Sequence, residues 1–288
     1  MKNVVKINLP FNDNSQNDYL ILGHFNVIHK GHYNLFKELK SFSFFIFENN
    51  PSKLFRTYNL NERINNINRF DPKTIYVYDI LKSNLDSIEF IEKVLKKINF
   101  KTLVVGSDFR FGKNRVGDVE LLKKYFDVKV IKKDNYSTTQ INNYLINGQI
   151  EQANEMLVYN FYYENEVVKG KQLARKLFKP TANIIDEKSI DLLSGSYCSM
   201  ACVDNKFYKS ISFIGIPKSF EDNKSYVETH IMDFDQEIYG KTIKVYPLSF
   251  IRKNEKFNDI KDLEKAIWSD YKKALKYFES FDIKKFRP

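Results

Sequence analysis

Long apolar runs are absent. The longest, residues 42–47, contains Ser43 and falls well short of the roughly 20 residues that span a bilayer, so no membrane helix is expected. Cysteine is nearly absent too. Cys198 and Cys202 lie in one alternating, strand-like stretch, which would separate them by roughly 13 Å. That excludes a disulfide between them, and with no histidine near them in sequence they offer no zinc site. A reduced, cytoplasmic compartment is expected. The segment Met1-Lys2-Asn3-Val4-Val5 has no apolar region leading to a small-residue cleavage site, which argues against secretion. Glycine and proline are scarce, ten and seven in 288 residues. No Pro/Gly/Ser-rich linker, internal repeat or low-complexity tail is visible, so two domains of this length should abut.

Positive charge is in excess, with a formal net charge of +10. Lysine is spread along the whole chain rather than gathered on one segment. This favours anionic small molecules such as nucleotides over a nucleic-acid partner.

The first half alternates strand and helix signals. Strands are expected at 19–25, 42–47, 74–78, 102–106 and 128–132, with helices at 30–40, 61–70, 87–98 and 118–126 between them. In the clearest helix, Ser87 can cap an apolar stripe of Ile88, Ile91, Val94, Leu95 and Ile98. Such alternation predicts a doubly wound parallel sheet, with ligands bound beyond the carboxyl ends of its strands. Two short helices, 139–146 and 150–158, close this half. Beyond residue 166 the period changes to two, with strands at 196–203, 207–214, 226–233 and 242–251 and a hairpin turn at Asp204-Asn205. An antiparallel barrel or sandwich is expected there. A helix over 260–278 follows, its stripe formed by Leu263, Ile267, Tyr271, Ala274 and Phe278. The expected domains are therefore 1–158 and 159–288.

Three of the four histidines, His24, His29 and His32, fall in one segment between a strand and a helix. Imidazole donors, Gly31 and a helix N-terminus would converge there on a polyphosphate. The alternative is a surface loop that happens to hold histidines. A second turn, residues 104–118, carries Gly106, Gly112 and Gly117 with Arg110, Lys113 and Arg115. It suits an anion, or a planar ring held by Phe109 or Phe111. It equally suits an ordinary loop with both rings in the core.

The run Val104-Val105-Gly106-Ser107-Asp108-Phe109-Arg110-Phe111-Gly112, continued by Arg115 and Gly117-Asp118, resembles the signature of bacterial FAD synthetases, the bifunctional riboflavin kinase/FMN adenylyltransferases. The segment from Gly23 and Phe25 to His29, Gly31 and His32 is similar to that family's nucleotidyltransferase motif. Residues 47–51 and Glu62-Arg63 also fall where members carry comparable residues. In the second half the resemblance continues through Val167-Val168-Lys169-Gly170, Arg175, Pro180-Thr181-Ala182-Asn183, residues 227–234, Tyr239-Gly240-Lys241 and residues 251–257.

The resemblance implies an N-terminal nucleotidyltransferase domain that adenylylates FMN to FAD, followed by an antiparallel β-barrel that phosphorylates riboflavin to FMN. It implies ATP and Mg²⁺, and no nucleic-acid or membrane partner. In the first half it assigns His29 and His32 to catalysis on ATP phosphates. Gly23, Phe25, Gly31, Ser137 and Thr138 would bind ATP, and Asp108, Phe109, Arg110, Phe111 and Gly112 would line the flavin. In the second half it makes Glu228 the base for the riboflavin 5′-hydroxyl. Thr181 and Asn183 become oxygen ligands of Mg²⁺, Gly170 and Arg175 phosphate contacts, and Arg252 a flavin contact. His230 reads as structural.

The chain departs from the family pattern at several positions. Asn26 stands in place of Asp, and Ile28 in place of Gly, where a β-branched residue tolerates positive φ poorly. Gln140 and Asn142 replace two arginines, removing two charge-assisted phosphate contacts. Ala174 and Phe178 replace glycines of the kinase loop. A second reading is therefore open, in which the chain is a riboflavin kinase whose first half is a degenerate nucleotide- or flavin-binding module.

Overall fold

The computed structural model describes residues 3–49, 57–132, 134–169, 180–186, 192–216, 225–257 and 259–288. The chain divides into two compact units, Met1–Thr138 and Thr139–Pro288.

In the first unit, six strands form one sheet: β1 (Val4–Ile7), β2 (Asp13–Gly23), β3 (Phe42–Glu48), β4 (Ile75–Asp79), β5 (Ile98–Gly106) and β6 (Asp127–Ile131). Their order is β1-β4-β3-β2-β5-β6, and every pairing is parallel. The apolar runs explain this arrangement. Parallel strands are covered on both faces, and Phe44, Phe45 and Ile46 of β3 are fully buried. Helices α1 (Lys30–Tyr33), α2 (Leu60–Asn68), α3 (Ser87–Lys93) and α4 (Val119–Lys123) connect the strands. One core cluster runs from Leu20 and Leu22 through Phe45, Phe47, Tyr76 and Tyr78 to Phe90, Ile91, Leu103, Val105 and Phe111.

Several local expectations change. The helix expected at 30–40 is α-helical only over Lys30–Tyr33. It then tightens into turns, with Leu35 bonding His32 and Phe36 bonding Tyr33. This seats the Phe36 ring against Phe42, Phe44 and Phe70. The cap of α3 is Asp86 rather than Ser87, its carboxylate accepting the Glu89 amide at 2.8 Å. That helix stops at Val94, whose φ of −121° is not helical, and a single 3₁₀ turn follows. Strand β1 was not foreseen.

In the second unit, α5 (Thr138–Ile146) and α6 (Ile150–Met156) precede six strands: β7 (Tyr163–Glu166), β8 (Ala182–Ile185), β9 (Gly195–Val203), β10 (Lys206–Gly215), β11 (Tyr226–Ile231) and β12 (Thr242–Lys253). Helix α7 (Ile260–Glu279) follows. The sheet order is β7-β12-β9-β10-β11-β8, antiparallel throughout. A bridge between Val168 and Asn183 joins its two ends into a nearly closed barrel. The Asp204-Asn205 turn forms as expected, both residues at positive φ, 49° and 62°, as a tight hairpin requires. The expected domain boundary at 158/159 falls after α5 and α6, whereas these helices group by contact with the barrel. Leu193 bonds the Leu145 carbonyl at 3.2 Å, and the Asn154 amide bonds Pro247 O on β12 at 3.1 Å. No helix among the described residues is long and apolar enough to cross a membrane.

Candidate active sites

The strand order of the first unit locates its site. From β2 the chain builds outward through β3 and β4, then returns to the other side of β2 with β5 and β6. The order reverses between β2 and β5, and the carboxyl ends of those strands form the crevice where such sheets bind ligands. Gly23 ends β2 and Gly106 ends β5, so the histidine segment and the glycine turn both leave from that point.

The histidine segment is rigid. Phe25 adopts φ 46°, costly for a bulky residue, yet its ring is buried at 5.0 Å from both Phe44 and His32. Arg63 of α2 holds that shape. Its buried guanidinium donates to the carbonyls of His24, Phe25 (3.4 Å) and Phe47 (2.9 Å), tying the exits of β2 and β3 together. A capping box between Asn59 and Glu62 fixes the start of α2.

His29 and His32 stack at 3.6 Å with 16° between their planes. His29 is 6 % exposed and caps α1, its Nδ1 accepting the His32 amide at 3.1 Å. Burial lowers its pKa to about 4, against the opposing pull of Asp108 and Asp134. His29 is therefore neutral near pH 7 with its proton on Nε2. The His32 Nδ1 donates to Val27 O at 3.0 Å. Gly31 sits close against its neighbours: a Cβ there would lie 3.1 Å from the His29 ring and 3.4 Å from Tyr136, so the His29 ring would have to give by a few tenths of an ångström. Tyr136, the residue before Ser137, thus lies beside Gly31.

Both departures inside this segment are accommodated. Ile28 is buried and is not among the residues at positive φ, so the expected strain does not arise. Asn26 is buried and donates to Thr57 Oγ1 at 3.1 Å while accepting the Tyr58 amide. Gln140 bonds Tyr144 in exposed helix α5.

In the glycine turn, Phe111 is 3 % exposed and bridges Gly117 through paired backbone bonds of 3.0 Å. Phe109 is half-buried and stacks on Phe111, 6.0 Å between centroids. Asp108 and Arg110 are exposed, and Arg110 pairs with Asp118 at 3.2 Å. Gly112 has φ 73°, and a Cβ there would meet the Ser87 backbone at 2.7 Å.

In the second unit, strand register assembles the site. Arg252 of β12 pairs with Ser196 of β9, Ser196 with Phe213 of β10, Phe213 with Glu228 of β11, and Glu228 with Asn183 of β8. Directly opposed residues point to one face. Arg252, Ser196, Phe213, Glu228 and Asn183 thus form one row across five strands. Glu228 and Asn183 have Cβ atoms about 5 Å apart by this pairing, and Thr181, two residues before Asn183, follows on the same side. The row faces outward, since the alternate residues Ile184, Val227, Ile214 and Tyr197 are fully buried within the barrel. The interior also holds a hydroxyl ladder of Ser199, Ser210, Ser212 and Thr229, linked at 2.7–2.8 Å.

His230 is buried and donates to Pro180 O at 3.0 Å, fixing the entry to Thr181. The Asn183 amide nitrogen donates to Thr181 O at 3.4 Å, leaving its oxygen without a hydrogen bond among the described residues. A hydroxyl and a carboxamide oxygen beside a carboxylate form a hard-oxygen donor set. It fits Mg²⁺ completed by phosphate and water. Gly170 and Arg175 lie outside the described residues, as do Ala174 and Phe178.

Sequence reasoning missed Asp270. This α7 carboxylate is 2 % exposed and accepts Ser196 Oγ at 2.9 Å and Arg252 Nε at 2.8 Å. Burial pushes its carboxyl above the usual range, while Arg252 and Ser196 pull it back. The available signal was a lone carboxylate beside the apolar stripe of the last helix.

Models of known families match both units. One described as riboflavin kinase matches residues 157–278, and one described as FAD synthetase matches 11–148. The "Trifunctional protein RibF/MnmA" of Mycoplasmoides gallisepticum is 42% identical over 90% of this chain, which spans 40% of that relative's length. The "Bifunctional riboflavin kinase/FMN adenylyltransferase" of Mycoplasma pneumoniae is 31% identical, over 90% of this chain and 97% of the relative. A crystal structure titled "Macrolide-efflux Protein from Streptococcus pneumoniae" superposes with a TM-score of 0.83 and 25% identity, covering 97% of this chain and 99% of that one.

Proposed function

The chain belongs to the FAD synthetase family of bifunctional riboflavin kinase/FMN adenylyltransferases, and on that premise we propose how its residues divide the two reactions. The first unit transfers AMP to FMN, and the second phosphorylates riboflavin.

In the first unit, an FMN phosphate oxygen attacks the α-phosphorus of ATP. The new P–O bond forms as the bond to the departing pyrophosphate breaks. No covalent enzyme intermediate is needed, so the protein contributes position and charge stabilisation. His29 offers a fixed Nε2–H donor to the phosphates. His32, whose Nδ1 proton is committed to Val27 O, presents the Nε2 side of its ring to the phosphates. Gly31 admits the nucleotide beside the rings, with Gly23, Phe25, Ser137 and Thr138 completing its surroundings. Residues Asp108 to Gly112 line the flavin side, Phe109 offering a ring edge and Phe111 supporting it from the core. The order reversal that brings Gly23 and Gly106 together supports this reading.

In the second unit, Glu228 accepts the proton of the riboflavin 5′-hydroxyl. That oxygen attacks the γ-phosphorus, and the bond to the ADP bridging oxygen breaks. Thr181 and Asn183 would hold Mg²⁺, which when bound would neutralise phosphate charge. Gly170 and Arg175 serve the ATP phosphates, and Arg252 contacts the flavin. The single observation that carries this is the direct pairing of Glu228 with Asn183 across β11 and β8. The enzyme works in the cytoplasm on small-molecule substrates, consistent with its two free cysteines. The test is Glu228→Gln. Fed riboflavin and ATP it should make no FMN, yet fed FMN and ATP it should still make FAD. Retained FMN synthesis removes Glu228 as the base.

A further inference from the structure

The parallel sheet has a second opening, at the amino ends of its strands. Both β2 and β5 begin there and finish at Gly23 and Gly106, where the histidine segment and the glycine turn leave. The nine residues of β5 put about 26 Å between the two ends. Neither proposed reaction uses the amino end.

The opening is built around an irregularity. Asp13 pairs with Ile98 and Asn17 with Phe100, so residues 14–16 of β2 bulge out opposite the single residue Asn99. Bulges leave backbone groups unpaired and recur beside functional sites. A buried polar network holds this one. The Asn17 amide nitrogen donates to Ser15 O at 2.9 Å on the bulge, to Asn99 O at 3.0 Å on β5 and to the Tyr76 hydroxyl at 3.1 Å on β4. Its oxygen accepts Ser43 Oγ of β3 at 2.6 Å. Tyr76 in turn donates to Asp13 at 2.7 Å. One buried carboxamide thus fixes four strands at this end of the sheet.

Beside the bulge lies a cavity of about 370 Å³. Phe100 and Phe126 form an apolar wall, both half-buried, with 5.2 Å between ring centroids. Asn12, Asn14 and Asn99 contribute carboxamides. Asn12 donates to Asn14 Oδ1 at 3.3 Å, which leaves the Asn14 amide nitrogen without an acceptor among the described residues. Two of the lining charges are already engaged. Asp13 accepts the Ser15 amide and the Tyr76 hydroxyl, and Lys96 pairs with Glu92 at 2.6 Å. The Lys97 ammonium has no ion-pair partner among the described residues.

We propose that this cavity is a second ligand site, taking a flat heterocycle that carries an anionic group, of the nucleoside monophosphate class. Ring faces suit a planar base. Carboxamides both donate and accept, as the edges of such a base require, and an ammonium makes a charge-assisted bond to phosphate. The volume lies in the range of small-molecule pockets. The proposal is independent of both proposed reactions.

The test is calorimetric titration of AMP into the full chain, with both ATP sites filled by a non-hydrolysable ATP analogue and Mg²⁺. One AMP site should remain. Lys97→Ala should weaken it at least tenfold, and Lys97→Arg should retain it. Phe126→Leu should weaken it severalfold. Lys97 is exposed, so FMN and FAD formation by Lys97→Ala without AMP should match wild type. The absence of a remaining site overturns the proposal. So does a site whose affinity survives Lys97→Ala or, in folded protein, Phe126→Leu. Inorganic phosphate that binds as tightly as AMP would show an adventitious ion only, and overturns it too.

Discussion

His29 and His32 are stacked neighbours, and each has its Nδ1 engaged within the segment. His29 spends Nδ1 on the His32 amide and has its pKa depressed by burial to about 4. Between about 4 and the ordinary 6.5 the unfolded chain binds a proton that the folded chain refuses. Its stabilising contribution is therefore complete above pH 6.5 and lost as pH falls toward 4, by roughly 2 kcal/mol at pH 4.5. Urea unfolding at pH 7 and 4.5 should show a smaller acid loss in His29→Asn than in wild type. Equal losses would place the titration elsewhere. Arg63 acts at the same scale. Arg63→Gln frees three buried carbonyls and the positive φ of Phe25, so FAD formation from FMN should fall at least tenfold. FMN formation from riboflavin should stay at the wild-type level. A parallel loss of both activities would make Arg63 merely a fold residue. Asn26 and Ile28 show why identity alone misleads. The position with left-handed backbone is Phe25, so the missing glycine at 28 costs nothing there.

Elements show where periodicity informs and where it stops. The apolar runs of β3 to β6 and the Asp204-Asn205 hairpin were legible because each is a local pattern with a local cause. Strands β1, β7 and β8 are four residues each and pair with partners distant in sequence. So short a segment carries no readable period. The helix after His29 broke early because its aromatic neighbours, not its propensity, decide the packing of Phe36. The outer row of the barrel is the sharpest case. Glu228, Asn183 and Arg252 each stood out through a motif, but their alignment is a property of register, which no single strand encodes. Phe213 had no motif and became visible only through that register, and Asp270 became visible through its bonds to Ser196 and Arg252. The glycine turn yields a prediction at this scale. Gly112→Ala combines φ 73° with a backbone clash at 2.7 Å against the start of α3. It should destabilise the first unit by about 2 kcal/mol or more, measured as a lower urea midpoint. A neutral effect would mean that α3 yields easily.

At the scale of the molecule, two units carry two chemistries that share one intermediate. FMN is the product of the barrel and the substrate of the parallel sheet. Family and fold class were legible because motifs of both halves occur in order along the chain. The grouping of α5 and α6 with the barrel was not, since their apolar faces fit either neighbour by pattern alone. The departures at Gln140 and Asn142 raised the reading of a kinase with a silent first half. Against it stand a histidine segment tied by Arg63 at His24 and Phe25 and a neutral His29 near the order reversal, which are the features the proposed adenylyl transfer needs. The most direct measurement is chromatography of the products formed from riboflavin, ATP and Mg²⁺ by the full chain. FMN should appear first, followed by FAD. FMN that accumulates with no FAD would contradict an active first unit, and the absence of both would contradict the account as a whole.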